Sequence, residues 1–399
     1  MRDGWREAKL GDLFGLSNAR LGPHDSEPTV FSISKYDGVM PSDEFFGKRV
    51  ASAKLDDYKV LLDGAWVYST IHIDEGSIAR NTAGTDGVVS PMYTVINWIS
   101  EMDEPSYVEL LLRSAEMLAV YSDNAQGSIN RRRSLPWKAF RTIPISLPPL
   151  NGQRRIVDLI SAVDDAVDAA EAEATASDVV RREAIDALLE LHGGAELTEL
   201  SQLGTFERGK RFTKKDYVPD GLGCIHYGQI YTDYGATASE TISFLPSSFR
   251  DSARLAHPGD LVIAGTGENV EEIGKAVAWM GRESVAVHDD AFIFRHGLDP
   301  VFASALFSSS VFLNQRAPSD SKVARLSAGS LARIRVPVVS EPAQRQIGGL
   351  MMALDKSSLE SRATAETLRA LRSNLLTVLL SGEHEIPLSY DVLLKGEAA

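Results

Sequence analysis

Two stretches decide the fold: Ile145-Ser146-Leu147-Pro148-Pro149-Leu150-Asn151-Gly152-Gln153-Arg154-Arg155-Ile156 and Val336-Pro337-Val338-Val339-Ser340-Glu341-Pro342-Ala343-Gln344-Arg345-Gln346-Ile347. Each leads from a proline-bearing junction into Gln-Arg-x-Ile. Each is followed by a long stretch free of helix breakers, since neither Gln153 to His192 nor Leu350 to Ser381 contains Gly or Pro. In the first stretch apolar or small residues recur at Ile156, Ile160, Val163, Val167, Ala170, Ala174, Ser177, Ala184 and Leu188, with a break at Arg181. Steps of four and three define a seam on one face of a helix. In the second, Leu350, Leu354, Leu368, Leu371, Leu375, Val378 and Leu379 suggest a similar seam. A forty-residue helix spans ~60 Å, and one that long needs a partner to bury its seam. Each is the obvious partner of the other, and the alanines in the first would let the backbones approach closely.

The rest of the chain is read outward from these helices. Of its aromatic residues none lies in 151–193 or 341–383, and nearly all lie in 1–150 and 197–340. Globular cores use aromatic residues heavily, so the chain alternates globular part, helix, globular part, helix. The offset between the two Gln-Arg-x-Ile motifs also pairs Leu135 with Leu326, Ile143 with Ile334, Asp164 with Asp355, and Leu188-Leu189 with Leu379-Leu380. Lys9-Leu10-Gly11 resembles Gln202-Leu203-Gly204, and Gly64-Ala65-Trp66-Val67 resembles Gly259-Asp260-Leu261-Val262. The chain is therefore read as an internal duplication. The expected fold class is α+β: two similar mixed α/β globular domains, 1–150 and 194–340, with two long helices, 151–193 and 341–383, forming an antiparallel coiled coil, and a tail at 384–399. Strand-like runs include Thr29 to Ile33, Ala65 to Ile71, Val88 to Trp98, Asp260 to Ala264, Ala276 to Trp279 and Ala291 to Arg295, with helical stretches at Ser106 to Ser122 and Pro300 to Gln315.

Composition narrows the function. The chain has 399 residues, 44% hydrophobic and 24% charged, ordinary values for globular domains. No apolar run is long enough to span a bilayer. The opening residues lack the apolar segment of a signal peptide, so a cytoplasmic location is expected. Cys224 is the only cysteine, and no Cys/His spacing suggests zinc. The net charge of −14 is uneven: −7 falls within 151–196, against −4 in 1–150 and −1 in 197–340. The acidic total therefore leaves room for local basic surfaces.

Catalytic motifs are missing. Gly265-Thr266-Gly267-Glu268-Asn269 lacks the spacing of a phosphate loop, and its acidic neighbours would repel phosphate. No Asn-Pro-Pro-aromatic or Asp-Pro-Pro-aromatic run of an adenine methyltransferase and no Gly-rich dinucleotide fingerprint is present. Three basic clusters stand out instead: Arg131, Arg132, Arg133, Lys138 and Arg141; Arg208, Lys210, Arg211, Lys214 and Lys215; and Lys322, Arg325, Arg333 and Arg335. Such clusters suit phosphate contact. Amides such as Gln126, Asn130, Gln229 and Asn269 are of the type that reads adenine edges.

The duplicated order of globular part, proline-bearing junction, Gln-Arg-x-Ile and long helix resembles the specificity subunits of type I restriction–modification systems. The opening Trp5 to Leu13 and the run Tyr68-Ser69-Thr70-Ile71-His72-Ile73-Asp74-Glu75-Gly76-Ser77-Ile78 are also similar to that family. Gly152 and Ala343 stand where the family usually has an acidic residue before the Gln. The resemblance implies a non-catalytic subunit whose globular halves are target recognition domains, each reading half of a bipartite, asymmetric site in double-stranded DNA, with the helices setting the distance between half-sites. It implies two modification subunits as partners, with S-adenosylmethionine bound on them and no cofactor on this chain, and restriction subunits joining through them. Candidate DNA contacts are Arg131, Arg132, Arg133 and Lys138 in the first half and Lys210, Arg211, Lys214, Lys215, Gln229, Lys322 and Arg325 in the second. The alternative is a non-catalytic assembly scaffold without DNA sequence readout.

Overall fold

The structure is a computed structural model that describes residues 4–24, 27–47, 54–127, 133–192, 196–267, 272–316 and 325–391. The chain divides into two compact units, the first comprising Met1–Ala166 and Leu368–Ala399 and the second Val167–Thr367. Both long helices are continuous, over Leu150–His192 and Glu341–Leu380, and each contributes residues to both units.

The first unit holds two four-stranded sheets. One has the order Phe14–Ser17, Tyr93–Trp98, Trp66–Ser69, Ile78–Arg80; the other has Gly38–Pro41, Val30–Ser34, Gly87–Val89, Lys59–Leu61. The second unit repeats this plan. Gly204–Arg208, Ala291–His296, Leu261–Ala264 and Ala276–Trp279 form one sheet, extended by Thr237–Ala238, and Ser243–Leu245, Leu222–Ile225, Val285–Val287 and Leu255–Ala256 form the other. Even the unusual pairing recurs, for Val30–Ser34 runs parallel to Gly87–Val89 and Leu222–Ile225 runs parallel to Val285–Val287. The internal repeat read from the sequence is thus a repeat of topology.

The central strands Trp66–Ser69 and Leu261–Ala264 are buried at every position. This is the continuous apolar pattern expected of a strand covered on both faces. Gly64 and Gly259 precede them at equivalent turns, with φ of +77° and +91°, a region that suits glycine. Their N–H groups donate to the carbonyls of Asn81 at 2.8 Å and Trp279 at 2.7 Å. Each unit also pairs its first strand with the strand leading into its long helix: Arg6–Lys9 with Pro144–Leu147, and Leu197–Glu199 with Arg335–Pro337.

The Gln-Arg-x-Ile repeat has a structural role. Gln153 is buried; its Oε1 accepts from the Glu104 N–H at 2.8 Å, and its Nε2 donates to Asp103 Oδ1 and the Pro148 carbonyl, both at 2.9 Å. Gln344 makes the matching contacts to the Asp299 N–H at 2.8 Å and the Val339 carbonyl at 3.0 Å. Glu104 and Asp299 are the residues immediately before the helices Pro105–Leu112 and Pro300–Leu306. Each glutamine therefore binds the start of a long helix to the start of a short one.

Within each unit the segments of the two long helices pair antiparallel. In the first unit Ile156 and Ile160 pack with Leu379 and Leu380, and Arg372 pairs with Asp164, its Nη2 donating to Oδ2 at 3.0 Å. In the second, Ile185 and Leu189 pack with Ile347 and Met351, Ser358 Oγ donates to Asp178 Oδ1 at 2.9 Å, and Arg362 pairs with Asp178. The seams differ in detail from the sequence reading. Past the break at Arg181 the fully buried positions are Ile185 and Leu189, with Ala184 and Leu188 half-buried. On the second helix Leu350 and Leu371 are exposed, whereas Ile347, Met351, Ser358, Ser361 and Ala365 are buried. Small residues line the middle of the contact, with Ser358 against Ala174, so Leu350 and Leu371 fall off the face that Leu354, Leu375, Val378 and Leu379 share. The run Ser106 to Ser122 is likewise two helices. Pro105–Leu112 ends at Arg113, and Ser114 starts Ala115–Asn124 by accepting from the Met117 N–H at 3.3 Å.

Candidate nucleic-acid interface

The second basic cluster becomes a cleft in the second unit. Arg208 ends the strand Gly204–Arg208, opposite Phe292. The chain then passes closely over the turn that joins Val285–Val287 to Ala291–His296. A Cβ at Gly209 would lie 2.1 Å from the His288 carbonyl oxygen, so only glycine fits there. The Gly209 and Lys210 N–H groups donate to the Ala291 and Val287 carbonyls at 3.0 and 2.9 Å. Beyond this crossing Thr213 opens the short turn Lys214–Asp216. Asp216 Oδ2 accepts from the Thr213 N–H at 2.7 Å and its hydroxyl at 2.9 Å, and these bonds hold the carboxyl below the usual range. The turn leaves Lys214 and Lys215 exposed, as are Lys210 and Arg211.

The resulting cleft, of about 530 Å³, is lined by Arg208, Arg211, Phe212, Thr213, Lys214, His226, His288, Asp289, Asp290 and Arg325. A smaller one of about 310 Å³ shares Arg208, Asp289, Asp290 and Arg325 and continues along Gly265, Thr266 and Ser327. Arg325 is held there because Thr266 pairs with it and the Leu326 N–H donates to the Gly265 carbonyl at 2.8 Å. The wall is a run of rings: Phe212 lies 5.1 Å from His288, His288 4.1 Å from His226, and His226 4.5 Å from Tyr227. Burial, with the neighbouring His288 and Lys214, pushes His226 down to about 4. Burial also lowers His288. Both imidazoles are therefore neutral at pH 7, and the cleft's charge comes from Arg208, Arg211, Lys214 and Arg325 against Asp289 and Asp290.

The structure sorts the sequence candidates. Arg211, Lys214 and Arg325 meet at the cleft, and Lys210 and Lys215 flank it on the same segment. Lys138 is exposed on the short helix Trp137–Phe140. Arg133 is otherwise engaged: its Nη2 donates to the Ser122 and Ala125 carbonyls at 2.6 and 2.9 Å. It thereby neutralises the C-terminal end of the helix Ala115–Asn124. Gln229 is also engaged, its Oε1 accepting from the His226 N–H and its Nε2 donating to Ser243 Oγ, both at 2.8 Å. Its amide secures the start of the helix Tyr227–Thr232. Arg131, Arg132 and Lys322 lie outside the described residues.

The sequence places Arg208 in the second basic cluster without making it a candidate contact, and does not single out His226, His288, Asp289 or Asp290. Asp289-Asp290 is legible as a turn between two apolar runs. Its contact with Arg208, a residue far away in sequence, is not. The same three-residue turn exists in the first unit. Strand register equates Phe292 with Thr94 and Val287 with Val89, so His288-Asp289-Asp290 corresponds to Ser90-Pro91-Met92. The frame is common to both units and the chemistry at its tip differs. Among the described residues no helix is long and apolar enough to cross a membrane.

Comparison with known proteins bears out the resemblance read from the sequence. The chain is 20% identical to the type I restriction enzyme MjaVIII specificity subunit of Methanocaldococcus jannaschii, an alignment covering 95% of this chain and 92% of the relative. It shares its fold with a chain from a structural study of complex assembly and conformational transition of the type I R-M system, at 17% identity and a TM-score of 0.58 over 95% of this chain and 98% of that one. It also shares the fold of the type I restriction–modification S subunit from M. genitalium, at 14% identity and a TM-score of 0.51 over 94% and 96%. No family model matches the sequence.

Proposed function

We propose that this chain is the DNA sequence-specificity subunit of a type I restriction–modification complex and carries no catalytic centre of its own. The observation that supports this best is the repeated sheet frame with different side chains at its equivalent turn: Asp289 and Asp290 in one unit, Pro91 and Met92 in the other. One scaffold used twice with different tips suits the reading of two different half-sites. In the second unit Arg211, Lys214 and Arg325 would hold the phosphate backbone, with Lys210 and Lys215 beside them. Phosphate contacts fix register, and base edges supply sequence information.

The two long helices, shared by both units, would fix the gap between half-sites. The acidic stretch 151–196 would face protein partners, namely two modification subunits that bind S-adenosylmethionine and methylate adenine. Restriction subunits would join through them, and the complex would act on DNA in the cytoplasm. Methylome sequencing of a host strain with and without this gene tests the reading. A bipartite adenine-methylated motif that vanishes on deletion is the expected result. A methylome unchanged by deletion, with the modification subunit expressed and active, would overturn it in favour of a scaffold.

A further inference from the structure

We infer that the turn His288-Asp289-Asp290 is a base-reading element of the second unit, and that its carboxylates accept a hydrogen bond from the N4 amino group of a cytosine in the major groove. This rests on the DNA-reading function proposed above.

The turn is short and held from both sides. Its flanking strands are buried from Val285 to Val287 and from Ala291 to Phe294. His288 is buried, and its Nδ1 accepts from the Asp290 N–H at 3.1 Å while its Nε2 lies 3.3 Å from Asp289 Oδ1. Arg208 Nε donates to the Asp289 carbonyl oxygen. The Arg208 guanidinium is 4.0 Å from Asp289 Oδ2 and 3.7 Å from Asp290 Oδ1. At these separations the guanidinium faces both carboxylates without saturating them, because both lie beyond hydrogen-bonding range. Both carboxylates line both clefts and remain partly exposed. They are positioned acceptors with capacity to spare.

An ionised carboxylate can only accept, so its ligand must be a donor. A phosphate would be repelled by Asp289 and Asp290 and belongs instead on Arg211, Lys214 or Arg325, around the same cleft. A metal cation would compete with the Arg208 guanidinium already set against both acids. In the major groove the donors are the amino groups of cytosine and adenine. Beside its amino group adenine presents the acceptor N7, which would face a carboxylate with like polarity. Cytosine presents no such acceptor there. The cleft thus joins cations for the backbone to an acceptor for one base. The corresponding turn of the first unit, Ser90-Pro91-Met92, carries no carboxylate, and Met92 is 70% exposed. The two halves therefore differ in what they can read at this position, and one serves as internal control for the other.

The test replaces the native gene with one encoding Asp289→Asn and Asp290→Asn, followed by methylome sequencing. Asn matches adenine N6 and N7. The expected result is a motif in which one cytosine position of one half-site is relaxed or shifted toward adenine, with the other half-site unchanged. Loss of discrimination at that position should be about 5- to 150-fold. Should the double variant abolish methylation, Asp290→Asn alone is judged by the same criterion. An unaltered motif overturns the inference, as does a uniform gain in affinity for all duplexes, which would mean that the acids only repel phosphate. These failures differ from failure of the function itself, in which deleting the gene removes no motif at all.

Discussion

The side-chain oxygen of Gln344 accepts the backbone N–H of Asp299 at 2.8 Å, across the junction between a long helix and a short one. Gln153 does the same for Glu104. Truncating either glutamine removes the partner of a half-buried N–H and of a buried carbonyl. Gln344→Ala should cost ~1–3 kcal/mol of stability in the second unit, and Gln153→Ala a similar amount in the first. Denaturant unfolding followed by hydrogen exchange in each unit measures this. An unchanged midpoint for both variants would mean that the glutamines do not join the helices.

The contact between the long helices is built on small residues at its centre, so enlarging one should be worse than trimming an exposed leucine. Ala365→Leu, at a buried position, should destabilise by ~1–3 kcal/mol through overpacking. Leu371→Ala, at a position 45% exposed, should stay within ~0.5 kcal/mol. Thermal unfolding of the two variants would separate this seam from the leucine seam suggested by spacing.

His226 is held neutral by burial, its proton affinity lowered to about 4 from an ordinary value of 6.5. His288 shifts in the same direction. A folded state that binds protons less readily than the unfolded chain loses stability as pH falls. The contribution is complete above the ordinary value and is lost as pH drops from about 6.5 to about 4. Exchange protection of the strand Ala276–Trp279 should fall across this window, and His226→Gln should flatten the profile.

Asp103 moves the opposite way from a simple buried acid. Burial disfavours its charge, but hydrogen bonds from Ser100, Gln153 and Arg6 outweigh that and hold the carboxyl below the usual range. Its contribution is present above the ordinary carboxylate value and is lost as pH falls through the depressed one. Arg6→Ala should therefore raise the acid midpoint of the first unit, read by the same exchange experiment on the strand Tyr93–Trp98.

If Arg211, Lys214 and Arg325 hold phosphates, replacing each by Ala should weaken binding to all duplexes alike and reduce the salt dependence by about one counterion. The recognised motif should not change. A variant that alters the motif would instead be touching a base.

Much of this architecture is legible in the amino-acid sequence because it is written in local, repeated patterns. The duplicated Gln-Arg-x-Ile, the aromatic gaps and the breaker-free stretches depend only on neighbours along the chain. They sufficed for two similar mixed α/β parts, two long helices and the basic segment Lys210 to Lys215. The seam was legible in kind but not in register, since Ser358, Ser361 and Ala365 are buried by a partner helix that no spacing rule identifies.

Tertiary structure alone decided which polar groups are available. Arg133 and Arg211 look alike in a basic run, yet one is bound to helix-end carbonyls and the other faces a cleft. Gln229 looks like a base reader and is held by His226 and Ser243. Asp289 and Asp290 look like an ordinary turn and gain their setting from Arg208, brought to them by strand pairing. Hydrogen bonding and desolvation depend on atoms within a few ångströms in space, and for these residues most such atoms come from distant parts of the chain.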